Sequence, residues 1–296
     1  MNRQQYADKC FDTIMELQGA DEFKGIVQRL RTFQQNKEKY SVQDITLPNY
    51  LWSAKRGGGI STCITMFSEY LYNAKITEFT GIVKYFEYKL AYIAPDLFFS
   101  ELTRLNNTIS EIAGHHRYFR GLACINIDDW IEHTNEKYFY KFLDYIASKN
   151  EKILTILYVH SNSKRVIESI ESSLSSRIRY ETISLRFPDA NELIKFIESK
   201  YFVKRGFNLT DDAKLLLIDT IEVLTNGKHF NGFTTIKQLA NDILFNLLTS
   251  NINDNNISAE MISSFTKDSL YVKRIKTLTS ASNIIGFGSQ SEEYSK

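Results

Sequence analysis

The sequence predicts an α/β protein with a parallel sheet, followed by a smaller helical domain. Between residues 49 and 185, apolar segments of strand length alternate with amphipathic segments of helix length. The central apolar segments carry few polar residues, which is typical of parallel strands that helices cover on both faces. Beyond Phe187 and Pro188 only helix-like spacing of apolar residues continues, so we place a domain boundary there.

The individual strands and helices are predicted from the spacing of apolar residues. Runs or alternation of apolar residues indicate strands, and recurrence every three or four residues indicates helices. The predicted strands are residues 49–54, 79–90, 122–127, 153–159 and 182–185. The predicted helices are residues 61–71, 96–112, 136–148 and 166–174 in the first part, and 190–202, 210–224, 233–249 and 258–270 in the second.

These patterns divide the chain into four predicted segments. Residues 1–40 form an N-terminal helical segment, residues 41–187 the α/β core, residues 188–275 a helical domain and residues 276–296 a flexible tail. The tail is assigned from its runs of small and polar residues, such as Gly-Ser-Gln-Ser-Glu-Glu, which bury too little apolar surface to fold.

The composition argues against several classes of protein. Lysine and arginine number 36 against 35 aspartates and glutamates, a net charge of +1, so no charge excess indicates nucleic acid or an anionic membrane as a partner. The three cysteines are scattered, which argues against a disulfide framework or a zinc site. No apolar run approaches the roughly 20 residues of a membrane span, and the N-terminus lacks the apolar core of a signal peptide. We therefore expect a cytoplasmic protein.

A glycine-rich stretch, residues 54–62, joins the first predicted strand to the next helix. Glycines let backbone N–H groups surround phosphate oxygens at a helix N-terminus, as in the phosphate loop G-x-x-x-x-G-K-[ST]. Here Ala54 replaces the first glycine and Ile60 replaces the lysine, so a charged donor worth about 1.5–3 kcal/mol is absent. Lys55 and Arg56 are candidates to compensate, and a plain glycine turn is the alternative interpretation. The phosphate-binding candidates are Gly57, Gly58, Gly59, Ile60, Ser61 and Thr62.

Two acidic residues, Asp128 and Asp129, follow the predicted strand 122–127. They resemble the Walker B motif of nucleoside triphosphatases, in which the first acid holds magnesium through water and the second, usually glutamate, orients the attacking water. Asp128 matches the first position, with the Ser61 hydroxyl as a second group for the magnesium ion. Asp129 matches the second position with a side chain one methylene shorter. The alternative is that both acids cap the helix that follows.

Polar residues later in the chain occupy positions typical of the same kind of site. Asn162, or Ser161 as the alternative, follows the strand 153–159, where the nucleoside triphosphatases that this pattern resembles carry a sensor of the γ-phosphate. Arg177, or alternatively Arg179, follows a Ser-rich helix and resembles an arginine finger that reaches the nucleotide of a neighbouring subunit. A basic helix end that complements the helix dipole is the plain alternative for these arginines.

The order and spacing of these motifs resemble the AAA+ ATPases over roughly residues 40–270, and the helical part is most similar to the lid of their CbxX/SpoVK-like branch. The resemblance implies a doubly wound P-loop NTPase core with a small C-terminal helical lid. It implies ATP or ADP with Mg²⁺ as cofactors and a protein partner, through self-assembly into a ring or association with an active AAA+ subunit. The site residues it implies beyond the loop are Asp129, Asn162 and Arg177 in catalysis and Lys237 near the second sensor position.

Departures at Ala54, Ile60, Asp129 and the second sensor position favour a protein with a degenerate nucleotide site. Such a protein is nucleotide-binding or a pseudo-ATPase, and it serves as a scaffold or regulator of a protein partner. The alternative is an active AAA+ ATPase that couples ATP hydrolysis to remodelling of a protein complex. A DNA-remodelling or DNA-loading ATPase is a third interpretation, which the near-neutral charge disfavours.

Overall fold

The computed structural model describes residues 2–40, 47–76, 86–89, 107, 121–128, 136–149, 153–227, 230–250 and 254–268. The chain divides into two compact units, Met1–Phe187 and Pro188–Lys296. Among the described residues, no helix combines the length and the apolar composition that crossing a membrane requires.

Strands and helices alternate through the first unit. In chain order its described elements are α1 (Arg3–Met15), α2 (Asp21–Tyr40), β1 (Asn49–Ala54), α3 (Ile60–Asn73), β2 (Phe86–Lys89), β3 (Gly121–Asn126), α4 (Glu136–Lys149), β4 (Ile153–Val159), α5 (Lys164–Ser175) and β5 (Tyr180–Leu185). The predicted strand 79–90 is described only as β2. The predicted helix 96–112 lies, apart from Asn107, outside the described residues.

The described strands form one parallel sheet in the order β2-β3-β4-β1-β5. β1 lies between β4 and β5, with Ser53 opposite Val159 and Ala54 opposite Leu185. Because all the strands run in the same direction, the segments that follow β1, β3 and β4 meet at one edge of the sheet. The predicted α/β fold with a parallel sheet is confirmed.

Helices cover both faces of the sheet, and β1 is buried along its whole length. Tyr50, Trp52 and Ala54 belong to a core cluster that includes residues of α1, α2 and α3. Leu51, on the opposite face of the same strand, belongs to a second cluster with residues of α4 and α5. This is the doubly wound arrangement that the AAA+ resemblance implies.

The N-terminal helices pack against the sheet as part of the first unit. Phe23 of α2 contacts Trp52 of β1, with ring centroids 5.0 Å apart, and Phe67 of α3, with ring centroids 5.6 Å apart. The backbone N–H of Ser184, in the edge strand β5, donates to the Glu22 carboxylate of α2 at 2.6 Å. Residues of α2 therefore pack into the core beside β1 and bind the backbone of the edge strand β5.

The second unit is mainly helical. Its described elements are α6 (Ala190–Ile197), β6 (Asn208–Leu209), α7 (Asp211–Thr225), α8 (Gly232–Thr249), β7 (Asn256–Ile257) and α9 (Ala259–Asp268), with a π-helical turn (Glu198–Phe202) and a 3₁₀ turn (Val203–Arg205) after α6. The prediction that only helices follow Pro188 was wrong in one respect, since β6 and β7 pair in parallel. Strands of two residues are too short to leave an alternating pattern in the sequence.

Candidate functional site

The glycine stretch after β1 forms a tight loop that requires its three glycines. Gly57 and Gly59 have φ angles of 74° and 91°, in the left-handed region that residues with side chains rarely adopt. Gly58 donates its N–H to the carbonyl oxygen of Lys55 at 2.9 Å. A Cβ atom at Gly58 would lie only 2.8 Å from that same oxygen, so no side chain fits there without a shift of the loop.

The loop leads directly into the N-terminus of α3. Gly59 is the N-cap residue, and no side-chain hydrogen bond caps the helix. The first helical hydrogen bond runs from the N–H of Cys63 to the carbonyl of Gly59, at 2.9 Å. The N–H groups of Ile60, Ser61 and Thr62 therefore have no acceptor within the helix. Groups of this kind, at the positive end of the helix dipole, bind anions such as phosphate.

Ile60, at the position of the lysine in the phosphate-loop motif, is buried. Only 3% of its surface is exposed, and its side chain belongs to the core cluster of β1 and α3. A branched apolar side chain neither donates a hydrogen bond nor carries charge. Its backbone N–H is therefore what Ile60 can offer to a phosphate, and its side chain stabilises the start of α3 by packing.

Four polar side chains of the loop and the first turn of α3 are exposed: Lys55, Arg56, Ser61 and Thr62. Within the described part of the chain, none of them makes a side-chain hydrogen bond or an ion pair. Lys55 and Arg56 thus add two exposed cations to the loop that leads to the N–H groups of α3. The Ser61 hydroxyl, the predicted magnesium group of the loop, is accessible on the first turn of α3.

Asp128, two residues beyond β3, is held by hydrogen bonds from the neighbouring strand end. One carboxylate oxygen, Oδ1, accepts the backbone N–H of His160 at 2.6 Å. The other, Oδ2, lies 2.6 Å from Nδ1 of the His160 ring and accepts the Asn126 amide at 3.1 Å. The Asp128 N–H donates in turn to Oδ1 of Asn126 at 3.0 Å. Both oxygens of the predicted magnesium ligand therefore already have protein partners.

Two opposing effects act on the pKa of Asp128. Burial of the carboxyl group raises it. The hydrogen bonds from the ring and backbone of His160 and from Asn126, with the attraction of the imidazole, lower it. The lowering effects prevail, so the pKa of Asp128 lies below its ordinary value of 3.8 and the group is an ionised acceptor at neutral pH.

His160 was not among the predicted site residues. Asn162, or alternatively Ser161, was predicted as the sensor at this strand end, and that role stays a prediction. Asn162 is exposed, and the Ser161 hydroxyl accepts a backbone N–H at 3.1 Å. Knowledge of the register between β3 and β4 would have identified His160. Asn126 of β3 pairs with Tyr158 of β4, so the residues two positions further along each strand lie opposite each other.

Arg177 is held within its own unit. Its guanidinium group lies over the ring of Tyr140 in α4, 4.2 Å from the centroid, and its Nη1 donates to the Ser176 hydroxyl at 3.0 Å. Its Nε lies 3.2 Å from Oδ1 of Asp144, close enough for an ion pair but not aligned for a hydrogen bond. The alternative residue, Arg179, is exposed.

Two further residues were predicted to belong to the site, Asp129 and Lys237. Asp129 is outside the described residues, so its role as the water-orienting acid stays a prediction. Lys237 lies on α8 of the second unit, where it is exposed, and its role as a second sensor stays a prediction as well.

The architecture defines the class of the fold, an α/β P-loop fold of the AAA+ type. One solved structure with this fold is that of C. elegans PCH-2, an AAA+ ATPase, which matches the chain with a TM-score of 0.53. The match covers 89% of this chain and 71% of the PCH-2 chain at 12% sequence identity, so it establishes the fold and not the activity. No protein-family model and no curated protein sequence matches the chain.

The fold implies a nucleotide with Mg²⁺, and the two parts of that ligand fit the site differently. The phosphates fit, because the first N–H groups of α3 have no helical acceptor and the loop that precedes them carries the exposed Lys55 and Arg56. The magnesium ion fits poorly, because three hydrogen bonds already occupy the carboxylate of Asp128. In the part of the chain that the structure describes, no cluster of three or more His, Cys, Asp or Glu side chains offers another metal site.

Proposed function

We propose that the chain is an AAA+-type nucleotide-binding protein with a degenerate site, which acts as a scaffold or regulator of a protein partner without efficient ATP hydrolysis. The observation that carries the proposal is the burial of Ile60, which is 3% exposed at the position of the lysine. Without the ammonium group, the charge that develops during phosphoryl transfer lacks its usual counter-charge.

Two other residues support the same proposal. The carboxylate of Asp128 is engaged by His160, although a magnesium site requires its oxygens to accept from the water shell of the metal. Arg177 is packed on Tyr140 of its own α4, whereas an arginine finger must reach a neighbouring subunit. Binding of the phosphates depends on the loop backbone, so it survives these changes better than catalysis does.

The partner is proposed from the class of fold. Self-assembly into a ring, or assembly with an active AAA+ subunit, would place this chain beside the nucleotide of a neighbour. The near-neutral charge of +1 provides no excess of basic residues for nucleic acid, which favours a protein partner in the cytoplasm.

Isothermal titration calorimetry with ATP and ADP, combined with a phosphate-release assay, tests the proposal. We expect the natural protein to bind nucleotide and to release no phosphate above background. Ile60→Lys restores the missing donor, so we expect it to tighten binding by about ten- to hundredfold, the equivalent of about 1.5–3 kcal/mol. Ile60→Met keeps an apolar side chain and is the matched control, with unchanged affinity expected. Phosphate release by the natural protein that Asp128→Ala abolishes would overturn the proposal.

An active ATPase is the second candidate, and the exposure of Lys55 and Arg56 beside the loop favours it. Either side chain is long and flexible enough to replace a lysine that the helix lacks. If the natural protein releases phosphate, Lys55→Ala and Arg56→Ala identify the substitute. The variant that loses turnover while keeping its thermal stability marks the residue that neutralises the phosphates.

A further inference from the structure

The strand ends near the loop contain a compact cluster of three hydrogen-bonded residues. Asn126, Asp128 and His160 form it, and we call it the His160 clasp. His160 contributes two of its contacts, both at 2.6 Å, one from the backbone N–H and one from the ring. The ring also packs edge-to-face on Tyr158, with centroids 5.6 Å apart and an interplanar angle of 89°. His160 is thus held in place through both its backbone N–H and its ring.

The clasp lies at the edge of the sheet that bears the glycine loop. β4 pairs with β1 through Val159 and Ser53, so His160 follows β4 at the level where Ala54 begins the loop. β4 pairs with β3 on its other side. His160 therefore stands between the loop that would hold the phosphates and the carboxylate that would hold their metal.

The hydrogen bonds of the clasp compete with a hydrated metal ion. A carboxylate offers about four acceptor positions, and three of those of Asp128 are already used. Mg²⁺ demands near-octahedral oxygen coordination and keeps several of its waters, which themselves need acceptors. At most one acceptor position of Asp128 is therefore left for the waters of a magnesium ion. A closer approach of the ion requires His160 to move, and the anchored ring opposes that movement.

We infer that the His160 clasp makes nucleotide binding at the glycine loop independent of Mg²⁺. The inference rests on the proposed function, since it concerns the ligand of that same site. The ligand is a metal-free nucleoside di- or triphosphate. Backbone N–H groups of the loop and of α3 hold its phosphates, and the exposed Lys55 and Arg56 balance the additional charge that the absent metal leaves.

Calorimetric titration of the full chain with ADP and ATP, in Mg²⁺ and in EDTA, tests the inference. We expect the natural protein to bind each nucleotide equally well in both buffers. His160→Ala removes the ring from the clasp, so we expect its binding to become at least about tenfold tighter in Mg²⁺ than in EDTA. His160→Asn is the matched control, because its amide nitrogen is as many bonds from the backbone as Nδ1 and can keep the hydrogen bond to Asp128.

The outcomes separate the inference from the proposed function. Binding by the natural protein that weakens about tenfold or more in EDTA overturns the inference and leaves the proposed function standing. Metal-independent binding in both the natural protein and a folded His160→Ala variant also overturns it, because another feature then explains the independence. Absence of nucleotide binding in both buffers overturns the proposed function and the inference together. The two buffers alone decide the first and last outcomes, even if His160→Ala does not fold.

Discussion

At the scale of single residues, Ile60 and His160 set the charge balance at the loop. Ile60 packs an apolar side chain into the core at the position where the motif has an ammonium group. The His160 ring is hydrogen-bonded to the carboxylate of Asp128. The positive potential at the loop therefore comes from the N-terminal dipole of α3 and from the exposed Lys55 and Arg56. This charge balance supports the proposal that the site binds an anion without efficient catalysis of phosphoryl transfer.

The lowered pKa of Asp128 predicts a pH-dependent contribution to stability. Folding favours the ionised carboxylate, so the contribution is present above the ordinary value of 3.8 and is lost as the pH falls through the lower folded pKa. We expect Asp128→Asn to lower the free energy of unfolding above pH 3.8 and to lose this effect below it. Urea unfolding of both proteins across that range measures the difference. A constant difference over the range would contradict the assignment.

At the scale of elements, α3 is fixed to β1 by a cluster of aromatic rings. Phe67 of α3 contacts three of them edge-on or tilted, with centroid distances of 5.6 Å to Phe23, 5.5 Å to Tyr50 and 5.9 Å to Trp52. The loop lies between these two elements, so their relative position sets its shape. The glycines permit the loop conformation, and the aromatic cluster holds its two ends in place.

Truncation of this cluster tests how strongly it fixes α3. Phe67 is fully buried, so we expect Phe67→Ala to lower the free energy of unfolding by about 3–5 kcal/mol through lost transfer energy and the cavity left behind. Phe245, which is 67% exposed on α8, provides the matched control, and Phe245→Ala should change stability little. Denaturant unfolding measures both. Equal losses in the two variants would mean that the aromatic cluster does not hold α3.

At the scale of the whole molecule, the periodicity of apolar residues was enough to predict the α/β fold. It predicted β1 and the glycine loop because burial of a strand on both faces leaves a largely apolar run, and glycine marks left-handed backbone. It did not predict the His160 clasp or the engagement of Arg177 by Tyr140. Both contacts join residues far apart in the chain, and they depend on strand order and register, which periodicity does not encode.

The packing of the N-terminal helices predicts that the first unit does not fold without them. Removal of residues 2–40 would strip Phe23, Ile26 and Val27 from the core and expose Trp52 and Phe67. We expect circular dichroism of the shortened chain to lack the part of the cooperative thermal transition that belongs to the first unit. Removal of residues 276–296, which the sequence predicts to be a tail, is the control and should leave the transition unchanged. A transition of unchanged amplitude per residue without residues 2–40 would contradict the prediction.

The contact between Glu22 and the backbone of Ser184 has a consequence for how copies of the protein meet at high concentration. An edge strand offers unpaired N–H and carbonyl groups that can recruit a strand from another molecule. At β5 the N–H of Ser184 is already taken by Glu22, and an ion pair between Arg29 and Glu181 covers the same strand. Strands of neighbouring molecules therefore cannot readily pair with this edge, and α2 opposes aggregation through β5.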